Sequence, residues 1–138
     1  MGVISFPYKP IYRAYFYLEA GQNVIQEWMN EEAIPYPDQL VLQNLIDIYE
    51  AAGLGAISTY VVDVGEGLCG LLAKRRDGVY PCPLFCCGPF DDEGEITFLA
   101  GAFRPHKMLR PRYAPGLAQD RLEILLKDPT RRWHESIT

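Results

Sequence analysis

The chain has 138 residues, of which 49% are hydrophobic and 22% charged, and its formal net charge is −5. That length and composition fit one globular domain, spanning 1–138, and exclude disordered, fibrous and low-complexity classes. No apolar run reaches the roughly 18 to 20 residues a membrane helix needs. The opening MGVISFPYKPIYR lacks the basic-then-apolar pattern of a signal peptide. The expectation is a cytoplasmic protein with no membrane partner.

In chain order, residues 1–13 are rich in Pro and Tyr without a period, and read as an irregular arm. Tyr15–Leu18 reads as a short aromatic strand that Gly21 ends. Asn23 suits the N-cap of a helix over Val24–Met29, where Val24, Ile25, Trp28 and Met29 share one face. After Pro35 and Pro37, Asp38 is expected to cap a second helix, Gln39–Ala52. Its stripe is Leu42, Leu45, Ile46 and Tyr49, and Gly53 and Gly55 stop it. Together the two make a helical hairpin suited to lie on a sheet.

A run of strands follows. Ile57–Val64 is β-branched, and Gly65-Glu66-Gly67 turns it into Leu68–Lys74. Asp77-Gly78 is a hairpin signal, and Val79–Cys87 is the returning strand. Pro81 and Pro83 lack the N–H groups that a two-residue loop would aim at the preceding strand, which predicts a longer loop or a bulge. Gly88–Glu95 reads as a polar, solvent-facing loop, and Ile96–Phe103 as the last strand. Pro115 opens a helix to Lys127, with Leu117, Leu122, Leu125 and Leu126 on its buried side, and 128–138 reads as an exposed or loosely docked tail. The fold class is α+β: an antiparallel meander sheet with an N-terminal strand, a helical hairpin and a C-terminal helix.

Charge is unevenly spread. Residues 1–73 hold two basic residues, Lys9 and Arg13, against nine acids, and residues 74–138 hold eleven against nine. Arg104, His106, Lys107, Arg110 and Arg112 follow one another with no acid between them, a pattern suited to phosphate. His106 is a candidate acid or base near neutral pH. Lys74, Arg75 and Arg76 stand at the hairpin tip as candidate RNA contacts. Cys69, Cys82, Cys86 and Cys87 lack the paired C-x2-C spacing of a zinc site. They read as reduced, buried small hydrophobes, with no metal and no cofactor expected.

The stretches FYLEAGQNVIQEWM, NLIDIYEAAG, GLCGLLAKRRDGVY and EITFLAGAF, with a proline-linked last helix carrying Ala118, form a familiar series. From about Tyr15 to Lys127 the chain resembles the RelE/HigB superfamily of bacterial toxins, in particular its phage-derived toxin-like branch. The resemblance implies a RelE-like fold and a ribosome-dependent, metal-independent mRNA endoribonuclease of a type II toxin-antitoxin module. Its partners would be the ribosome with its mRNA and a small antitoxin, often with a helix-turn-helix. Arg104, Lys107 and Arg110 would stabilise phosphate charge, His106 would move a proton, Tyr113 would position the nucleotide, and Lys74, Arg75, Arg76 and Arg112 would bind RNA. The chain departs from the family at Tyr80-Pro81, where a Tyr-Arg pair is usual, at Leu71-Leu72, where Leu-Arg or a lysine pair is usual, and at Pro105-His106, where two lysines are usual. These departures define a second reading: a catalytically inactive RelE-fold binding module for a protein or RNA partner. A third is an unrelated α+β enzyme that uses the cysteines.

Overall fold

A computed structural model describes residues 12–73, 79–105 and 108–134. Strands β1 (Arg13–Glu19) and β2 (Gln22–Asn23) lead into helices α1 (Val24–Glu31) and α2 (Tyr36–Ala52). A 3-10 helix, Leu54–Tyr60, precedes β3 (Val61–Gly65), β4 (Leu68–Leu71), β5 (Val79–Pro81), β6 (Leu84–Cys87), β7 (Glu95–Ala100) and β8 (Phe103–Pro105). Helix α3 (Ala114–Lys127) and strand β9 (Arg132–Trp133) complete the fold. The class is α+β with a mostly antiparallel sheet. Its order is β2-β1-β7-β6-β4-β3, β9 also lies on β1, and β5 and β8 form a separate two-stranded sheet.

The sheet corrects the expected meander in two places. First, β1 pairs with β7 in parallel, from Arg13 opposite Glu95 to Phe16 opposite Phe98. Local patterns do not encode that pairing, because its strands are far apart in sequence. Second, Val79–Cys87 is two strands. A two-residue loop at Asp77-Gly78 would set Leu68 opposite Cys87, but Leu68 faces Cys86. The ladder is thus shifted by one residue from the register of a two-residue loop. Pro83 instead accepts at its carbonyl from Leu71 N–H at 3.0 Å. β5 leaves the main sheet, and Tyr80 pairs with Arg104 of β8.

Smaller corrections share a physical logic. The first half of the expected strand Ile57–Val64 is the 3-10 helix. The expected strand Ile96–Phe103 breaks at Gly101-Ala102, where Trp28 packs; a Cβ on Gly101 would enter the indole ring. Asp38 is not a cap. Pro35 is the N-cap, and Pro37 sits in the first turn of α2, where its missing N–H costs nothing. Asn23 caps α1 as expected, its Oδ1 accepting from Ile25 N–H at 2.9 Å and Gln26 N–H at 3.3 Å. Gly53 ends α2 at φ 90°, with the Tyr12 ring so close that a Cβ would meet it at 2.8 Å.

The core sits on both faces of the sheet. Every position of β7 is buried, as a strand covered on two sides requires. Phe98 stacks on Phe16 at 5.3 Å and lies 5.3 Å from Phe85. Burying one such ring contributes about 2–3 kcal/mol. The expected α2 stripe of Leu42, Leu45, Ile46 and Tyr49 is buried. On α3 the buried residues are Ala114, Ala118 and Leu125, whereas Leu126 is exposed, contrary to expectation. Arg121 fixes α3 by donating to Leu99 O at 2.7 Å and pairing with Glu19 at 3.2 Å. Cys82 and Cys86 are buried, and Cys69 and Cys87 are half-buried.

Candidate nucleic-acid interface

The basic exit is built by a backbone clasp. Phe103 and Arg110 exchange two N–H···O bonds of 2.7 Å. Arg110 therefore lies antiparallel beside Phe103 before α3 begins. The β5 pairing holds Arg104 from its other side. Arg112 comes from the segment that leads into α3.

Arg104 and Arg112 meet on a groove of about 390 Å³, with Met108, Leu109 and, from β3, Asp63 and Val64 along its walls. Among the described residues neither arginine has an ion-pair partner. Asp63 brings one negative charge to this groove. Its Oδ1 is used locally, accepting from Gly65 N–H at 2.8 Å to shape the β3–β4 turn. Arg112 also borders a second hollow of about 380 Å³ with Tyr113, Gly116, Leu117 and Asp120. Tyr113, 69% exposed, is the shared wall between that hollow and a third. The third, about 310 Å³, is acidic, with Glu19, Glu27, Glu31 and Glu32 around Trp28.

Of the residues singled out from sequence, the structure thus brings Arg104 and Arg112 together. Tyr113 stands on the adjoining ridge. Arg110 is exposed and outside the groove, engaged through its backbone. Lys74, Arg75, Arg76, His106 and Lys107 lie outside the described residues.

No protein-family model matches this chain, no curated protein matches it, and no solved structure matches it. The site therefore rests on its own chemistry. Two guanidiniums on one concave surface, without an ion-pair partner among the described residues, are donors for phosphate oxygens. The cysteines offer no comparable chemistry. Burial pushes the Cys82 and Cys86 thiols up to about 12, Arg104 opposing it at Cys82, and it raises Cys69 and Cys87 as well. A thiol held protonated is a poor nucleophile and a poor ligand. Among the described residues no three His, Cys, Asp or Glu side chains group as a metal site, and no helix is long and apolar enough to cross a membrane.

A second polar cluster was not anticipated. Within the tail Arg132 and Trp133 are docked, because β9 pairs with β1, setting Phe16 opposite Trp133. Arg132 bonds to Glu95, lies 3.5 Å from Thr97 Oγ1 and stacks on Tyr15 at 3.8 Å and Phe90 at 4.7 Å. Desolvation pulls its pKa below the ordinary guanidinium value, with Tyr15 and Cys86 opposing that shift. Glu95, expected to face solvent, is buried. His134 Nε2 lies 2.6 Å from Glu50, whose carboxylate also accepts from Ala14 N–H at 3.1 Å. The sequence carried one signal for this cluster: Glu95 and Thr97 alternate with Ile96 and Phe98, placing polar groups on a strand that is otherwise apolar.

Proposed function

We propose that the chain is a RelE/HigB-like toxin that grips RNA at the exit groove and cleaves mRNA on the ribosome without a metal. The convergence of Arg104 and Arg112 on one groove, with no carboxylate paired to either among the described residues, carries this reading. In this chemistry a ribose 2′-hydroxyl attacks the neighbouring phosphate and the bond to the 5′-oxygen breaks. Charge builds on the phosphate oxygens, where preorganised guanidinium donors stabilise it. On this reading His106 would move the proton, Lys107 and Arg110 would add charge for phosphate, and Tyr113 on the ridge offers a ring for a base to stack on. A small antitoxin covering this face would restrain it.

The purified protein, added to a translation extract, is expected to cut mRNA. Arg104→Ala and Arg112→Ala should each lower the cleavage rate about 10²-fold. Intact mRNA at saturating protein would sink the nuclease reading.

A specific observation favours a second reading, an inactive binding module of the same fold. The central strands carry Leu71, Leu84, Phe85 and Phe98, all fully buried, where a catalytic sheet would present cations. Retained RNA binding without cleavage would select this reading.

A further inference from the structure

A single acid stands with the cations of the exit groove. Asp63 comes from the edge strand β3 and lines the groove of about 390 Å³ with Arg104, Arg112, Val64, Met108 and Leu109. It is exposed, and among the described residues it pairs with neither arginine. Asp63 is therefore not there to neutralise them. A surface that only held phosphate would be weakened by it, because a carboxylate repels phosphate oxygens.

The carboxylate is held by its own turn. The β3–β4 ladder shifts register between Asp63 and Gly65, and a bulge of this kind re-aims the side chain beside it. Oδ1 accepts from Gly65 N–H at 2.8 Å, which restrains the group. That bond uses one lone pair of Oδ1 and leaves the other, and Oδ2 keeps both of its own. Two adjacent acceptors thus remain, one on each oxygen.

Two adjacent acceptors discriminate between bases. In single-stranded RNA the Watson–Crick edges are free to be read. Guanine alone presents two neighbouring donors there, N1–H and N2–H. Adenine and cytosine each set an amino donor beside a ring-nitrogen acceptor, which a carboxylate repels. Uracil sets its single N3–H between two carbonyls. The other walls also suit a base, since Val64, Met108 and Leu109 give it apolar surface. The groove's volume falls at the small end of ligand pockets, room for about one nucleotide.

We propose that Asp63 reads guanine, its two oxygens accepting from N1–H and N2–H of one base in the groove, while Arg104 and Arg112 hold the adjacent phosphates. The inference rests on the RNA reading of this groove and adds a base preference to it. The turn and the reading are separable in one substitution. An asparagine at position 63 keeps an oxygen for Gly65 N–H and loses both the charge and the second acceptor.

Fluorescence anisotropy at one salt concentration tests this, with short labelled uridine strands that carry guanosine, adenosine, cytidine or inosine at one central position. The unsubstituted chain should bind the guanosine strand at least about 10-fold tighter than the adenosine and cytidine strands. Inosine lacks the 2-amino group, so its strand should fall between. Asp63→Asn should level the four strands without weakening the poorer ones, since it removes a negative charge, and circular dichroism confirms its fold. Equal binding of all four by the unsubstituted chain overturns the proposal and leaves the RNA grip standing. So does inosine bound as tightly as guanosine, or a guanosine preference that Asp63→Asn leaves intact. Binding of no strand overturns the grip itself, and the proposal with it.

Discussion

Arg132 on β9 and Arg104 on β8 are both arginines on short strands at the margin of the core, and they are held in opposite ways. Arg132 keeps 13% of its side chain exposed, bonds to Glu95 and lies against the Tyr15 and Phe90 rings. Its charge is already used inside the molecule. Arg104 shares a groove with Arg112, and neither has a carboxylate partner among the described residues. Their charge is available to something else. A count of basic residues treats these arginines alike; burial and partners separate a structural guanidinium from one that can take a ligand.

The sharpest way to break this comparison is to remove the partner of the spent arginine. Glu95→Ala leaves Arg132 desolvated and unpaired. The expected cost is about 3 kcal/mol, at the low end for breaking a buried pair because Arg132 retains some exposure. Urea denaturation measures it. Replacing both residues together, Glu95→Leu with Arg132→Met, should recover most of the loss, because no uncompensated charge remains. Equal costs for the single and double variants would show that Arg132 is not held by its charge.

A milder substitution separates charge from stacking at the same place. Arg132→Lys keeps the cation but loses the planar group lying 3.8 Å from the Tyr15 ring centre. The expected loss is about 1 kcal/mol, read from thermal melting. An unchanged melting temperature would assign the whole contribution to the ion pair.

The legibility of these two regions differs for a physical reason. The exit was visible because its charges are contiguous in sequence, from Arg104 to Arg112. The tail cluster was not, since Arg132, Glu95, Tyr15 and Glu50 meet only after β1 has paired with both β7 and β9. The same holds for the fold. Helices α1, α2 and α3 follow from local periodicity and from Asn23 and the prolines near their ends. The parallel β1–β7 pairing and the departure of β5 to β8 are long-range choices. Pro81 and Pro83 announced trouble in the returning strand, but not where that strand would go.

The smallest expected effect on stability is the most informative about the unspent pair. Arg104→Ala and Arg112→Ala should each change the free energy of unfolding by less than about 0.5 kcal/mol, because neither substitution removes a paired charge. Arg104→Ala keeps the β8 backbone and therefore its ladder with β5. RNA affinity should behave otherwise. Each substitution should lower the slope of log affinity against log salt by about one, and do so for every RNA sequence tried, since a phosphate contact carries no base preference. Fluorescence anisotropy with a labelled single-stranded RNA over a salt series gives that slope. If stability falls sharply and the salt slope stays the same, then Arg104 and Arg112 are structural in the way Arg132 is, and the groove binds no phosphate. If stability holds and the slope falls, the contrast between spent and unspent arginines locates the RNA-binding surface at the exit.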